Sequence, residues 1–361
     1  MSKLLPFVRR SLIPFGWLFG QVARVRRWLY AQHILKSSHT DIPVICVGNL
    51  AVGGTGKTPH VTYLSEMLSE QCNVAMLSRG YGRKTKGYIL ANEKAPEQLT
   101  AELIGDEPLL MHLRFPELPL AVDGDRYEGI CNLRNYAPKT DVVLMDDAFQ
   151  HLNFTPSFRI ILTEYERPYF RDYPMPAGRL REFPEAVSIA DVVIVTKTNV
   201  PLENIDKEQW RKDLRLKSHQ PLFFTHYTYI DPIPVTKKAQ NITLNDDTEV
   251  VALTGIAQPQ PFLERILLHH PIYHHIKYQD HHNYTEVEIQ QMYKRFFADN
   301  PENRVILTTE KDWMRLQTES VKKAVSLLPI FVVPVEVEFL FDAEKDNFKK
   351  IIEDHVRRKE K

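Results

Sequence analysis

Val47-Gly48-Asn49-Leu50-Ala51-Val52-Gly53-Gly54-Thr55-Gly56-Lys57-Thr58-Pro59 decides the fold of this chain. An apolar run from Pro43 to Val47 leads into it and reads as a buried strand, and a helical pattern begins near Pro59. Strand, glycine-rich turn, Gly-Lys-Thr and helix together make a phosphate cradle, because glycines let successive backbone N–H groups turn inward and the helix start adds its positive dipole end. The cradle runs over Ala51, Val52, Gly53, Gly54, Thr55, Gly56, Lys57 and Thr58. Lys57 can reach β- and γ-phosphates, and the Thr58 hydroxyl can ligate Mg²⁺. The strict pattern asks for glycine at position 51, where this chain has alanine. The strand-before, helix-after context outweighs that departure and the blander reading of a flexible turn.

Outward from the cradle, apolar runs recur between helical stretches: Val44–Val47, Val74–Leu77, Leu118–Val122, Val142–Met145, Ile160–Leu162 and Val192–Val195. Their β-branched content suits strands buried on both faces. The alternation predicts an α/β, P-loop NTPase-like, doubly wound and mainly parallel sheet, with ligands at the carboxyl ends of the strands. Residues 165–185, rich in Pro, Arg and aromatics, read as a long ordered loop. A second break near 228–248 is followed by runs at Val250–Leu253, Arg304–Leu307 and Ile330–Val333, which predict a smaller α/β domain. The expected division is an N-terminal segment 1–36, a phosphate-binding domain 37–235 and a C-terminal domain 236–361.

The chain has 361 residues with a formal net charge of zero, so no global field favours nucleic acid. Three cysteines without C-x-x-C spacing fit a reducing compartment. Charge is uneven, however. Residues 1–40 hold seven basic side chains and no acidic one, interleaved with Phe, Trp, Leu and Val. No uncharged apolar run there reaches the roughly 18 residues of a membrane span. Aromatics with arginines instead fit an amphipathic helix lying in a membrane interface, regular in its second half because Pro14, Gly16 and Gly20 interrupt the first.

Further chemistry sits at strand ends. Val142-Val143-Leu144-Met145-Asp146-Asp147 is an apolar strand closed by two acids, the arrangement that sets a carboxylate beside Mg²⁺ in P-loop proteins. Gly105-Asp106-Glu107-Pro108 reads as a helix start with Asp106 as a capping acid. Six histidines crowd residues 269–282, but without the spacing of metal ligands they read as polar surface. Val193-Ile194-Val195-Thr196-Lys197-Thr198-Asn199 is similar to the base-reading strand end of GTPases, yet Asn199 replaces the guanine-clamping acid, which favours ATP.

The cradle is followed in order by Ser78-Arg79-Gly80-Tyr81-Gly82, Gly105-Asp106-Glu107-Pro108, Asp146-Asp147-Ala148-Phe149-Gln150-His151, Pro176-Ala177-Gly178-Arg179-Leu180-Arg181-Glu182, Asp280-His281-His282 and Thr309-Glu310-Lys311-Asp312. This ordered set resembles the tetraacyldisaccharide 4′-kinase family, the lipid A 4′-kinases of Gram-negative bacteria. Ala148 departs from the family's usual glycine. The resemblance implies γ-phosphoryl transfer from ATP to the 4′-hydroxyl of a tetraacyldisaccharide 1-phosphate. It places the catalytic acid on Asp106 and its partner on His281, with Lys57 and Arg181 serving the phosphates. It makes Thr58, Asp146, Asp147 and Glu182 the candidate Mg²⁺ shell. Because four acyl chains leave the substrate in the membrane, it implies a peripheral enzyme on the cytoplasmic face of the inner membrane, with no nucleic acid and no obligate protein partner. Two other readings remain open at this point: a soluble P-loop kinase or ATPase for a small polar substrate, and a nucleotide-dependent metallochaperone.

Overall fold

A computed structural model describes residues 11–95, 98–280, 282–298, 301 and 303–358. The chain forms two compact units: residues 1–79, 118–227 and 337–361 in the first, and 80–117 with 228–336 in the second. This division differs from the expected boundary at 235/236. Residues 80–117 belong with the later segment, and the C-terminal helix Asp342–Arg358 belongs with the earlier one. Sequence order hid this, because an excursion out of a domain and back leaves no change of composition at its ends.

The first unit carries strands β1 (Val44–Asn49), β2 (Val74–Ser78), β3 (Leu120–Val122), β4 (Val142–Asp146), β5 (Phe158–Glu164), β6 (Val192–Thr196) and β7 (Leu222–Tyr229). They lie in the order β7-β6-β5-β1-β4-β2-β3 with every neighbour parallel, and Val335–Phe339 flanks β7. All six residues of β1 are buried, as a strand covered on both faces requires. The chain leaves β1 toward β2 on one side and returns from β4 to β5 on the other. That reversal puts a topological switch point at the carboxyl end of β1, where open α/β sheets bind ligands. β7 was not anticipated; only its first four residues are buried, and the polar remainder blurs the strand pattern.

Two helices of the first unit bear on the phosphate cradle: α1 (Ile13–Ala31) and α2 (Lys57–Ser69). α1 is regular through Gly16 and Gly20, contrary to the expectation that they interrupt it. Pro14 lies in the first turn, where its missing N–H costs nothing. The glycines serve close approach. A Cβ at Gly16 would stand 2.5 Å from the Pro174 carbonyl oxygen, and one at Gly20 would stand 2.6 Å from the Phe183 ring. The opposite face leaves Phe15, Trp17, Leu18, Val22, Val25 and Trp28 exposed. No described helix is long and apolar enough to cross a membrane.

The second unit is built on β8 (Glu249–Thr254), β9 (Ile272–Lys277), β10 (Arg304–Thr309) and β11 (Ile330–Val333). They run parallel in the order β9-β8-β10-β11, with the short Ile233–Pro234 antiparallel beside β11. Apolar clusters cover both faces of this sheet.

Candidate active site

The cradle begins where β1 ends. Ala51 bridges antiparallel to Leu180, with Val52 N–H donating to the Arg179 carbonyl at 2.7 Å and Arg181 N–H to the Leu50 carbonyl at 2.8 Å. The departure at position 51 is thereby explained: this residue pairs as strand, and its φ is not positive. Positive φ falls instead on Gly53 (119°) and Gly56 (96°). Gly53 and Gly54 face open space. Gly56 is doubly required, since a Cβ there would also come within 1.9 Å of the Tyr227 hydroxyl.

Buried polar side chains hold this turn from behind. Asn49 Nδ2 donates to Thr55 Oγ1 at 2.7 Å, and Thr196 Oγ1 donates to the Thr55 carbonyl at 2.9 Å. His60, on α2, lies 2.8 Å from the Gly56 carbonyl through Nδ1 and 3.1 Å from Thr225 Oγ1 through Nε2. A carbonyl can only accept, so Nδ1 carries the proton and Nε2 accepts from Thr225. Burial pushes the His60 pKa down to about 4, against the pull of the Gly56 carbonyl. Lys197 donates to the Gly54 carbonyl at 2.6 Å and to Glu164 Oε1 at 2.5 Å. Sequence reasoning gave neither His60 nor Lys197 a role in this turn. Lys197 directly follows β6, so the strand-end rule that found Asp146 could have found it.

Lys57 Nζ stands 3.8 Å from Asp147 Oδ2. Arg181 grips the same carboxylate, Nη1 to Oδ1 at 2.9 Å and Nη2 to Oδ2 at 3.2 Å, and donates to Gln150 Oε1 at 3.1 Å. Burial alone would raise the Asp147 pKa; Lys57 and Arg181 together hold it below the ordinary carboxylate range. Asp147 takes a left-handed φ of 49°. Ala148 does not, so alanine replaces the family's glycine without backbone strain. Asp146 ends β4 in register with Val47 and is buried. The Thr58 hydroxyl is buried with no hydrogen-bond partner in the protein.

Glu182, a candidate for the Mg²⁺ shell, is engaged by Arg27 through one carboxylate oxygen. Its Oε2 accepts from Arg27 Nε at 2.8 Å and lies 2.6 Å from Arg27 Nη2. Burial raises its pKa against the opposing Arg27 charge. Beyond the acid pair, Arg126 is fully buried, its pKa pushed down to about 10 by burial and by Arg79. Burial, then Arg126 and Arg79, likewise lower His151 to about 4.

In the second unit Asp106 opens the helix Asp106–Arg114, and Gly105, at φ 99°, holds the cap position expected of the acid. The two carboxylate oxygens find other partners. Asp106 Oδ1 accepts from Glu107 N–H at 3.0 Å, and Oδ2 accepts from Arg315 Nε and Nη2 at 3.2 and 3.0 Å. Arg315, buried, also donates to the Gly255 carbonyl at 3.0 Å. Fully buried Asp312 accepts from Gly255 N–H, Tyr284 Oη and Thr309 Oγ1, which ties the Thr-Glu-Lys-Asp run to the Gly255 turn. Lys311 meets Glu107 at 3.0 Å. Sequence reasoning missed Arg315; its i,i+3 spacing from Asp312 is the one available signal. His281 lies outside the described residues.

The other histidines of 269–282 do not converge. His270 is bonded to the Asn245 carbonyl, His275 to Thr254, and His282 to Glu288. His274 packs at a tilt against the Phe296 ring. Among the described residues no group of three or more His, Cys, Asp or Glu side chains is placed to hold a metal ion.

A family model described as tetraacyldisaccharide-1-P 4′-kinase matches residues 8–357. The chain belongs to the tetraacyldisaccharide 4′-kinase family. The family member of Bacteroides thetaiotaomicron is 39% identical, with 97% of this chain and 94% of that protein covered. The one of Flavobacterium johnsoniae is 36% identical, with 90% and 92% covered. A crystal structure of the Aquifex aeolicus kinase in complex with ATP superposes with a TM-score of 0.71 at 27% identity, covering 97% of this chain and 99% of that one. This family member is therefore a kinase of lipid A biosynthesis, transferring a phosphoryl group to the 4′-hydroxyl of a tetraacyldisaccharide 1-phosphate. The resemblance seen in the motifs is borne out at the level of family, fold and reaction.

Proposed function

We propose that the first unit holds ATP and Mg²⁺ at the carboxyl ends of β1 and β4, and that the enzyme works at the cytoplasmic face of the inner membrane. The observation that carries the site assignment is the convergence of Lys57 and Arg181 on one carboxylate, Asp147, beside a glycine turn that opens a helix. In P-loop kinases that constellation serves the β- and γ-phosphates. The ATP complex of the Aquifex aeolicus relative supports the nucleotide.

The residues present fit Mg²⁺. Thr58 offers a buried hydroxyl with no protein partner, and Asp146 and Asp147 add carboxylate oxygens, the hard donors this cation takes. Glu182, engaged by Arg27, is left out of that set. The ion would neutralise charge on the β- and γ-phosphates. The chain's own groups do the rest. The amides of Gly53 to Thr58 and Lys57 orient the phosphates, and Arg181 offsets charge that grows as the bridging bond to the leaving ADP lengthens. Asp106 accepts the proton lost by the 4′-hydroxyl as its oxygen bonds the γ-phosphorus, with Arg315 fixing the direction of the carboxylate. His281 is assigned the partner role on the sequence alone.

Membrane association is read from α1. Its exposed apolar face, on a segment whose charged residues are all basic, suits an anionic leaflet. Vesicle sedimentation tests this directly: Trp17→Ser with Leu18→Ser should weaken binding at least tenfold while turnover on a deacylated substrate persists. Unchanged binding would refute the docking role.

A further inference from the structure

α1 turns three residues toward the body of the first unit, Gly16, Gly20 and Arg27, spaced i, i+4 and i+11 on one helical face. Gly16 and Gly20 seat the helix on Pro174 and Phe183, at the two ends of the loop that carries Arg179, Arg181 and Glu182. Arg27 then reaches past that seat. Its guanidinium lies against Glu182 Oε2, at 2.8 and 2.6 Å, and 5.0 Å from the centre of the Phe149 ring.

Both contacts adjoin the phosphate site. Glu182 follows Arg181, which grips Asp147 and whose N–H donates to Leu50 at the root of the cradle. Phe149 follows Asp147 by two residues and packs so closely on β1 that a Cβ on Gly48 would stand 2.6 Å from Phe149 Cβ. One side chain therefore touches the two segments that present Arg181 and Asp147. The Glu182 carboxylate has a side-chain relative exposure of 8% and the Arg27 side chain 17%, so solvent screens the pair little.

We propose that Arg27 is a positioning residue for phosphoryl transfer: it fixes Glu182 and Phe149, and through them the Arg181–Asp147 pair, so that the seating of the docking helix sets the geometry of the phosphate site. This rests on the reading of α1 as the docking surface and of Arg181 and Asp147 as groups that serve the phosphates. Arg27 touches neither nucleotide nor lipid in this scheme. Its effect belongs in the rate of the chemical step, not in partition to the membrane.

The test uses the full-length chain, with vesicles of phosphatidylcholine and phosphatidylglycerol for binding and tetraacyldisaccharide 1-phosphate in micelles for turnover. Arg27→Met should lower kcat about tenfold or more. Vesicle partition, KM for ATP and the Mg²⁺ concentration for half-maximal rate should each stay within about threefold, well below the tenfold that a lost binding contact costs. Arg27→Lys, which keeps the charge but not the fork, should recover part of the rate. Arg27→Met with Glu182→Gln should be no worse than the poorer single variant, as expected for two members of one contact. A folded Arg27→Met enzyme with wild-type kcat would overturn the proposal, as would a loss fully accounted for by weaker vesicle binding. Should Arg27→Met not fold, Glu182→Gln answers the same question, and an unaltered kcat there overturns it equally. A wild-type enzyme that leaves the lipid unlabelled would overturn the underlying site reading instead, an outcome distinct from a slow variant of an active enzyme.

Discussion

At the scale of single residues, the phosphate turn is held from behind by groups that never meet a ligand in this scheme. His60 is the most exposed to test. Burial keeps its ring neutral against the pull of the Gly56 carbonyl, and its pKa is lowered from the ordinary 6.5 to about 4. A depressed histidine pKa means the unfolded chain binds the extra proton first. The group's contribution is therefore complete above about pH 6.5 and is lost as pH falls toward 4. Between pH 7 and pH 5 this amounts to about 2 kcal/mol. Urea unfolding at the two pH values should show at least that loss in the wild type, because His151 is lowered to about 4 as well, and His60→Asn should remove the His60 share; an undiminished pH dependence would remove His60 as a cause. Gly56→Ala combines a positive φ with a collision at Tyr227. It should cost more than about 1 kcal/mol of stability and abolish nucleotide binding by calorimetry, because the turn must move. Arg315→Met should lower kcat with KM for ATP little changed, since its partners Asp106, Asp312 and the Gly255 carbonyl all belong to the second unit.

At the scale of elements, the strands of the parallel sheet were legible because burial on both faces writes an uninterrupted apolar run, as in β1 and β4. β7 was not legible, since its second half is half-exposed and polar. α1 shows a different failure. Gly16 and Gly20 look like helix breakers in a string of letters, and only the Pro174 carbonyl and the Phe183 ring reveal them as contact surfaces. Gly20→Leu should therefore unseat α1 and lower turnover, read by kinase assay. Retained activity would mean the helix need not sit where it does. The site residues divide along the same line. Lys57, Thr58, Asp146 and Asp147 are named by motif and strand end. Lys197, Arg27 and Arg315 act across long sequence separations, for which a strand end at Lys197 and an i,i+3 spacing at Arg315 are faint local signals and Arg27 has none.

At the scale of the whole molecule, the proposal assigns the nucleotide to the first unit and the acid Asp106 to the second. The second unit is assembled from two separated stretches, 80–117 and 228–336, so Asp106 and Arg315 meet although 209 positions apart. A cut at residue 235, the boundary that composition suggests, should yield two insoluble fragments, because each would lack part of its core. Soluble, cooperatively melting halves would contradict the interleaving. The same scale holds the enzymatic claim. A lipid kinase of this family needs a phosphate cradle that works, a base, and access to a substrate anchored by acyl chains.

The measurement that tests this most directly is transfer of label from γ-³²P-ATP to tetraacyldisaccharide 1-phosphate in mixed micelles, comparing the wild type with Lys57→Ala. The wild type should place label on the 4′-oxygen, and Lys57→Ala should lose at least about a hundredfold in rate, the scale of one preorganised charge contact in a transition state. An unlabelled lipid with the wild type, or equal rates for the two proteins, would contradict a working phosphate cradle.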